Sequence, residues 1–278
     1  MKRFEELSFV DDFMFCKVLE DNEDLCKELL ELILEKPIRE IQFRSKQKNI
    51  DVAYDGKGIR LDVYVEDGES TVYDIEMQTE SLPELPKRTR YYQGMIDLDL
   101  IEKGAAYKEL KKSYIIFICS QNPFAGKTLH KYSFANVCLE DKEILLKDEA
   151  VKVFLTPEGK ADDVTPKMKK FLHFISGGSP NDDFTSRLEE AVAKQKKSKK
   201  RKTEFMKFQL RMQDEYDKGH ASGLASGLAE GNAKINSILL GLMQTTNCSA
   251  KEALKMCNVP ETEWETYLDL LAKKNEEQ

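Results

Sequence analysis

Histidine and tryptophan are scarce in this chain: its 278 residues include three His and one Trp. His130, His173 and His220 stand far apart, which argues against a metal site built on imidazole. The cysteines (Cys16, Cys26, Cys119, Cys138, Cys248 and Cys257) are scattered, without the close pairs of a zinc site. Several sit in apolar patterns such as YIIFICS, so buried thiols are expected. Any metal would then be held by carboxylates. No run approaches the ~20 apolar residues of a membrane span. The N-terminus, MKRFEELSFVDDF, has no signal-peptide apolar stretch. A cytoplasmic protein without a membrane partner is expected. Positive charge is not in excess either. The net charge of -7 argues mildly against nonspecific coating of nucleic acid. It leaves room for local positive charge beside an acidic pocket.

What the chain does contain is enough apolar residue for a core (41%) within a highly charged sequence (33%). Residues 9–35 show a mostly helical spacing of Phe13, Val18, Leu25, Leu29, Leu32 and Ile33, ended by Lys36-Pro37. The period then changes. Residues 59–66 (IRLDVYVE) and 71–78 (TVYDIEMQ) alternate around the turn Asp67-Gly68-Glu69-Ser70, which predicts a β-hairpin. Pro86 suits a helix start and Gly104 a helix end, so residues 87–103 are expected to be helical. SYIIFICS (113–120) reads as a buried strand, with KYSFANV and AVKVFLT as further strands. This order predicts an α/β fold, a mixed sheet with helices packed on it.

Composition shifts near residue 176, at the loop SGGSPNDD. The expected organisation is a main domain over 1–176, a helical linker over 177–233 and a small helical unit over 234–278. The linker holds a basic run (Lys194, Lys196, Lys197, Lys199, Lys200, Arg201, Lys202), read as a solvated helix face or a phosphate contact. Gly219, Gly223, Gly227 and Gly231 recur every four residues. Each costs about 1 kcal/mol of helix stability against Ala, so the stripe marks either a flexible linker or a close helix contact between subunits. A homo-oligomer through this arm is the second alternative. Residues 248–271 have helix-turn-helix spacing around Val259-Pro260, but the second helix carries Glu261, Glu263, Glu265 and Asp269, which suits packing better than a DNA groove.

The hairpin carries the chemistry. A turn centred near residue 69 sets Asp62 across from Glu76, and strand alternation puts Asp62, Glu76 and Gln78 on one face. Leu61, Val63, Val65, Ile75 and Met77 take the other. Cβ atoms of opposed residues lie ~5 Å apart, so two carboxylates there repel. The face is then either an ordinary solvated surface or a place where a divalent cation compensates.

Asp62 followed by a turn and Glu76-Met77-Gln78 resembles the D…(D/E)-x-K signature of the PD-(D/E)XK nuclease fold. More narrowly, RLDVYVEDGESTVYDIEMQ resembles the Rpn-type recombination-promoting nucleases, or transposase-like proteins. Asp12-Phe13-Met14-Phe15, Arg88-Thr89-Arg90-Tyr91-Tyr92, and YIIFICSQNPF with Tyr132-Ser133-Phe134 match that family in the same order, over roughly residues 8–160. The resemblance implies a restriction-endonuclease-like core with a helical C-terminal arm. It further implies a DNA endonuclease using Mg²⁺ or Mn²⁺ in a recombination setting. Asp62 and Glu76 would be metal ligands, with the Met77 carbonyl completing the set. Asp12 is a candidate additional acid and Glu20 a weaker one. Arg88, Arg90 and Tyr91 are candidates for the substrate phosphate. Gln78 takes the place of the signature lysine, and an amide cannot supply that charge. The alternative is therefore a catalytically weakened nuclease fold that binds DNA or a protein partner.

Overall fold

The computed structural model describes residues 2–46, 49–50, 58–81 and 83–276. It divides into two compact units, residues 1–205 and 206–278. The first opens with α1 (Asp12–Asp21) and α2 (Glu23–Leu34), where the apolar spacing suggested one helix. The break is at Asn22, whose backbone leaves the helical region (φ -134°, ψ 81°). Its side-chain amide donates to the Val18 carbonyl at 2.7 Å, satisfying an acceptor at the end of α1. Glu35 closes α2 in the left-handed conformation (φ 54°) just before Lys36-Pro37.

A six-stranded mixed sheet follows, built from β1 (Ile41–Lys46), β4 (Val63–Asp67), β5 (Val72–Gln78), β6 (Ser113–Cys119), β7 (Lys131–Phe134) and β8 (Ala150–Leu155). Its order is β1-β4-β5-β6-β8-β7. β5, β6 and β8 run parallel, while β1, β4 and β7 pair antiparallel to their neighbours. β2 (Asn49–Ile50) and β3 (Ile59–Arg60) form a separate two-stranded ribbon. The expected hairpin is present between β4 and β5. Its turn is held by Asp67, whose Oδ1 accepts from the Glu69 and Thr71 N–H groups, both at 2.9 Å. The strand expected over 59–66 is broken, however: Ile59 and Arg60 pair with β2, and Asp62 lies in a bend before β4.

All seven residues of β5 are buried, so the sheet is covered on both faces. The carboxylate face of the hairpin is not a solvated surface. One cover is α3 (Leu85–Leu100), which packs Leu85, Tyr92, Met95 and Ile96 against Tyr64, Val72, Ile115, Phe117 and Phe154. Pro86 sits in its first turn, as expected. The helix stops short of Gly104, because Ile101 turns extended and Gly104 (φ 88°) belongs to the following turn. α1 packs against β4 and α2 against β1. α4 (Pro166–Ile175) starts at Thr165, whose hydroxyl accepts from the Met168 N–H. α5 (Asp183–Lys196) falls in the stretch expected as a linker, yet it packs on α1, α2 and α4 and buries Phe184, Leu188 and Val192. Cys16, Cys26 and Cys119 are buried and the other cysteines half-buried, all as thiols.

α6 (Lys199–Thr246) contains the glycine stripe, and no other part of the described structure lies within 4 Å of where a Cβ on those glycines would stand. In the second unit the end of α6 packs with α7 (Ala250–Met256) and α8 (Trp264–Glu276). Leu239, Leu254, Tyr267 and Leu271 form its core, and the Trp264 indole donates to the Val259 carbonyl at 2.8 Å. Ser249 and Glu252 form a capping box at the start of α7. Among the described residues, no helix is long and apolar enough to cross a membrane.

Candidate active site

Four stretches of chain meet beside Asp62. The β4–β5 register pairs Val63 with Ile75 and Tyr64 with Asp74, so the next step brings Asp62 opposite Glu76. Because Asp62 is in a bend, its N–H is not used in the sheet ladder. It donates instead to Glu76 Oε1 at 2.9 Å, while the Met77 N–H donates to Asp62 Oδ2 at 3.2 Å. Each carboxylate is thus fixed by the other strand's backbone. The main chain of Met77 enters the site through this N–H.

From α1, Asp12 and Cys16 stand one turn apart and approach Asp62 from the other side. One ligand atom from each of Asp12, Cys16 and Asp62 lies within 4.8 Å of the others. Arg60, two residues before Asp62, bridges them: its Nη2 is 2.6 Å from Asp12 Oδ2 and 3.9 Å from Asp62 Oδ1. Asp12 is therefore both a first-turn acid of α1 and a member of the cluster. Glu20 pairs with Lys17 at 2.7 Å.

From α3, Arg88 reaches over the other end. Its Nη1 donates to Gln78 Oε1 at 3.2 Å and its Nη2 to Glu76 Oε2 at 3.3 Å. Tyr92, one turn further along α3, fixes the guanidinium by accepting from Nε (2.9 Å) and Nη2 (2.6 Å). The group also lies over the Tyr92 and Phe117 rings, at 4.9 and 5.6 Å from their centroids. The Gln78 amide nitrogen is engaged by the Glu80 carbonyl at 2.8 Å. Arg90 and Tyr91 are exposed on α3.

Burial dominates the electrostatics. Asp62 is 7% exposed, Glu76 2% and Asp74, on the same face of β5, 1%. Burial raises the Asp62 carboxyl well above the ordinary range, and the nearby Glu76 and Asp12 raise it further. Glu76 is raised by burial and then by Asp74, and Asp74 by burial and then by Asp62. Arg60 and Arg88 stay protonated despite partial burial, held up chiefly by Asp12 in one case and Tyr92 and Glu76 in the other. Burial raises the Cys16 thiol too, so it is not a thiolate here.

Three members of this cluster were missed in the sequence: Asp74, Arg60 and Cys16. Each had a local signal. Asp74 precedes Glu76 by two residues on one strand, Arg60 precedes Asp62 by two, and Cys16 follows Asp12 by one helical turn. The donor set of hard carboxylate oxygens fits a divalent cation such as Mg²⁺ or Mn²⁺. The fit is supported by Asp74, whose two buried oxygens have no hydrogen-bond partner.

A mixed sheet flanked by helices, with one carboxylate on a central strand, another just before its neighbour and a helix closing over them, defines an α/β fold of the PD-(D/E)XK type. The model of the PD-(D/E)XK nuclease family transposases matches residues 9–219, most of the chain, and the protein belongs to that family. No curated protein and no solved structure matches it.

Proposed function

We propose that the protein is a metal-dependent endonuclease that hydrolyses phosphodiester bonds of DNA in a transposase-like setting. The observation that carries this reading is the crossed pair of Asp62 and Glu76, each carboxylate held by the other strand's N–H beneath the Arg88 guanidinium. Preorganised charge of this kind costs no rearrangement at the moment of reaction. When bound by Asp62 and Glu76, with the Met77 carbonyl and Asp12 as further donors, a divalent cation supplies an acidified water and neutralises phosphate charge.

Arg88 answers the absence of a lysine at position 78. Its guanidinium lies within hydrogen-bond reach of both Glu76 and Gln78, so positive charge stands where the signature lysine would bring it. Gln78 acts as a bracket, accepting from Arg88 and donating to the Glu80 carbonyl. A fork of fixed N–H donors suits phosphoryl oxygens better than a single ammonium does. Arg90 and Tyr91, exposed one turn along α3, would meet the DNA backbone beyond the scissile bond.

The test is nicking of supercoiled plasmid by the full chain with Mg²⁺ or Mn²⁺, beside Asp62→Asn and Glu76→Gln. The expected outcome is cleavage by wild type, abolished by EDTA and by each substitution. Equal nicking by all three proteins would sink the proposal. DNA binding without nicking would leave the catalytically weakened reading.

A further inference from the structure

Asp74 has no role in holding the fold together that its contacts reveal. It lies at the middle of β5, between Tyr64 of β4 and Ile115 of β6, on the face that carries Glu76 and Gln78. It is 1% exposed, and neither carboxylate oxygen has a hydrogen-bond donor. Its neighbour on that face is the Glu76 carboxyl, also buried, and the two acids lie close enough to interact directly. A buried carboxyl group without a hydrogen-bond donor is destabilising by itself. A cation bound among these acids would give it the partner it lacks.

Asp12, Asp62, Asp74 and Glu76 bring four carboxylates to the cluster. Among the described residues, Arg60 and Arg88 bring two guanidiniums. Resting on the metal-dependent reading above, we propose that Asp74 is a further metal-binding carboxylate of this centre, set behind Glu76 and reaching the cation directly or through one of its waters. Asp74 makes the centre more acidic than the two-carboxylate site legible in the hairpin, which favours tight retention of the ion.

The experiment is Mn²⁺ titration of the full chain by calorimetry and by loss of the free-ion electron paramagnetic resonance signal. It compares wild type, Asp74→Asn and Asp62→Asn, with melting temperatures in EDTA and in Mn²⁺. Asp74→Asn is expected to bind Mn²⁺ about tenfold more weakly or worse, as supporting metal-site groups do when lost. In EDTA it is expected to melt no lower than wild type, since no N–H or O–H donor loses a partner. Adding Mn²⁺ should then raise the wild-type melting temperature more than the variant's. Wild-type Mn²⁺ affinity in Asp74→Asn, with binding lost in Asp62→Asn, would overturn the role of Asp74 and leave the metal site standing. A variant that melts several degrees lower in EDTA would also overturn it, by making Asp74 structural. Absence of Mn²⁺ binding by wild type itself would bring down the metal-dependent reading and this inference together.

Discussion

A lysine at position 78, as in the PD-(D/E)XK signature, should slow the proposed cleavage. In Gln78→Lys an ammonium replaces an amide oxygen that now accepts from Arg88 Nη1 at 3.2 Å. Two positive charges about 4 Å apart repel by about 4 kcal/mol at an effective dielectric constant of about 20. Part of this is relieved. The Arg88 side chain is 32% exposed and can swing outward, and Glu76 attracts the new ammonium. The swing has its own consequence, because it takes the guanidinium away from Glu76 and from the Tyr92 hydroxyl. A net loss of about 1.4–2.8 kcal/mol in transition-state stabilisation is expected, a rate lower by about 10- to 100-fold. The double variant Gln78→Lys/Arg88→Gln has one cation again and should recover to within a few-fold of wild type. Single-turnover nicking of supercoiled plasmid at saturating Mn²⁺ reads all four corners of the cycle. A Gln78→Lys protein that cuts as fast as wild type, with Arg88 intact, would refute the assignment of Arg88 as the site's cation.

Tyr92→Phe removes the acceptor of two Arg88 donors but keeps the ring, so single-turnover cleavage should fall about 3- to 10-fold, a loss of about one ordinary hydrogen bond. An unchanged rate would show that the hydroxyl does not position Arg88. Arg201→Ala should lower stability by about 1–2 kcal/mol in urea unfolding, because the half-buried guanidinium binds Asp21, Gln195 and Glu204 together. DNA affinity should be unaffected by it; a large loss of affinity with no loss of stability would contradict this placement of the basic run. For pH, Asp74 is raised in the folded chain and ordinary in the unfolded one, so the folded chain holds more protons above about pH 4. Its burden on stability therefore appears as pH rises through the ordinary carboxylate range and grows towards the raised folded value. The melting-temperature difference between Asp74→Asn and wild type in EDTA should be small near pH 4 and larger at pH 8. A difference that is flat across this range would refute the raised pKa of Asp74 in the folded chain.

Much of this architecture could be read from local pattern. The alternation in TVYDIEMQ, the Asp67 turn and the period of residues 9–35 depend on side-chain spacing along one element, which the chain carries wherever it folds. The pairing of Asp62 with Glu76 was legible for the same reason, since a hairpin's register follows from its turn. The break at Asn22, and the loss of Ile59 and Arg60 from the hairpin strand to a separate ribbon, were not. Each turns on a competing partner that sequence spacing does not name.

The character of the site belongs to the same second class. Spacing gave Glu76 and Gln78 a common face but could not say whether that face was wet or dry, because burial depends on which helix covers the sheet. It could not single out Arg88 from Arg90 either, as both lie on α3 and only the direction of the helix over β5 sends one inward. The burial of Asp74 likewise comes from its neighbours in the sheet and the helix over them. Strand alternation needs no tertiary contact, whereas the charge on a group, its partners and its access to water are properties of everything packed around it.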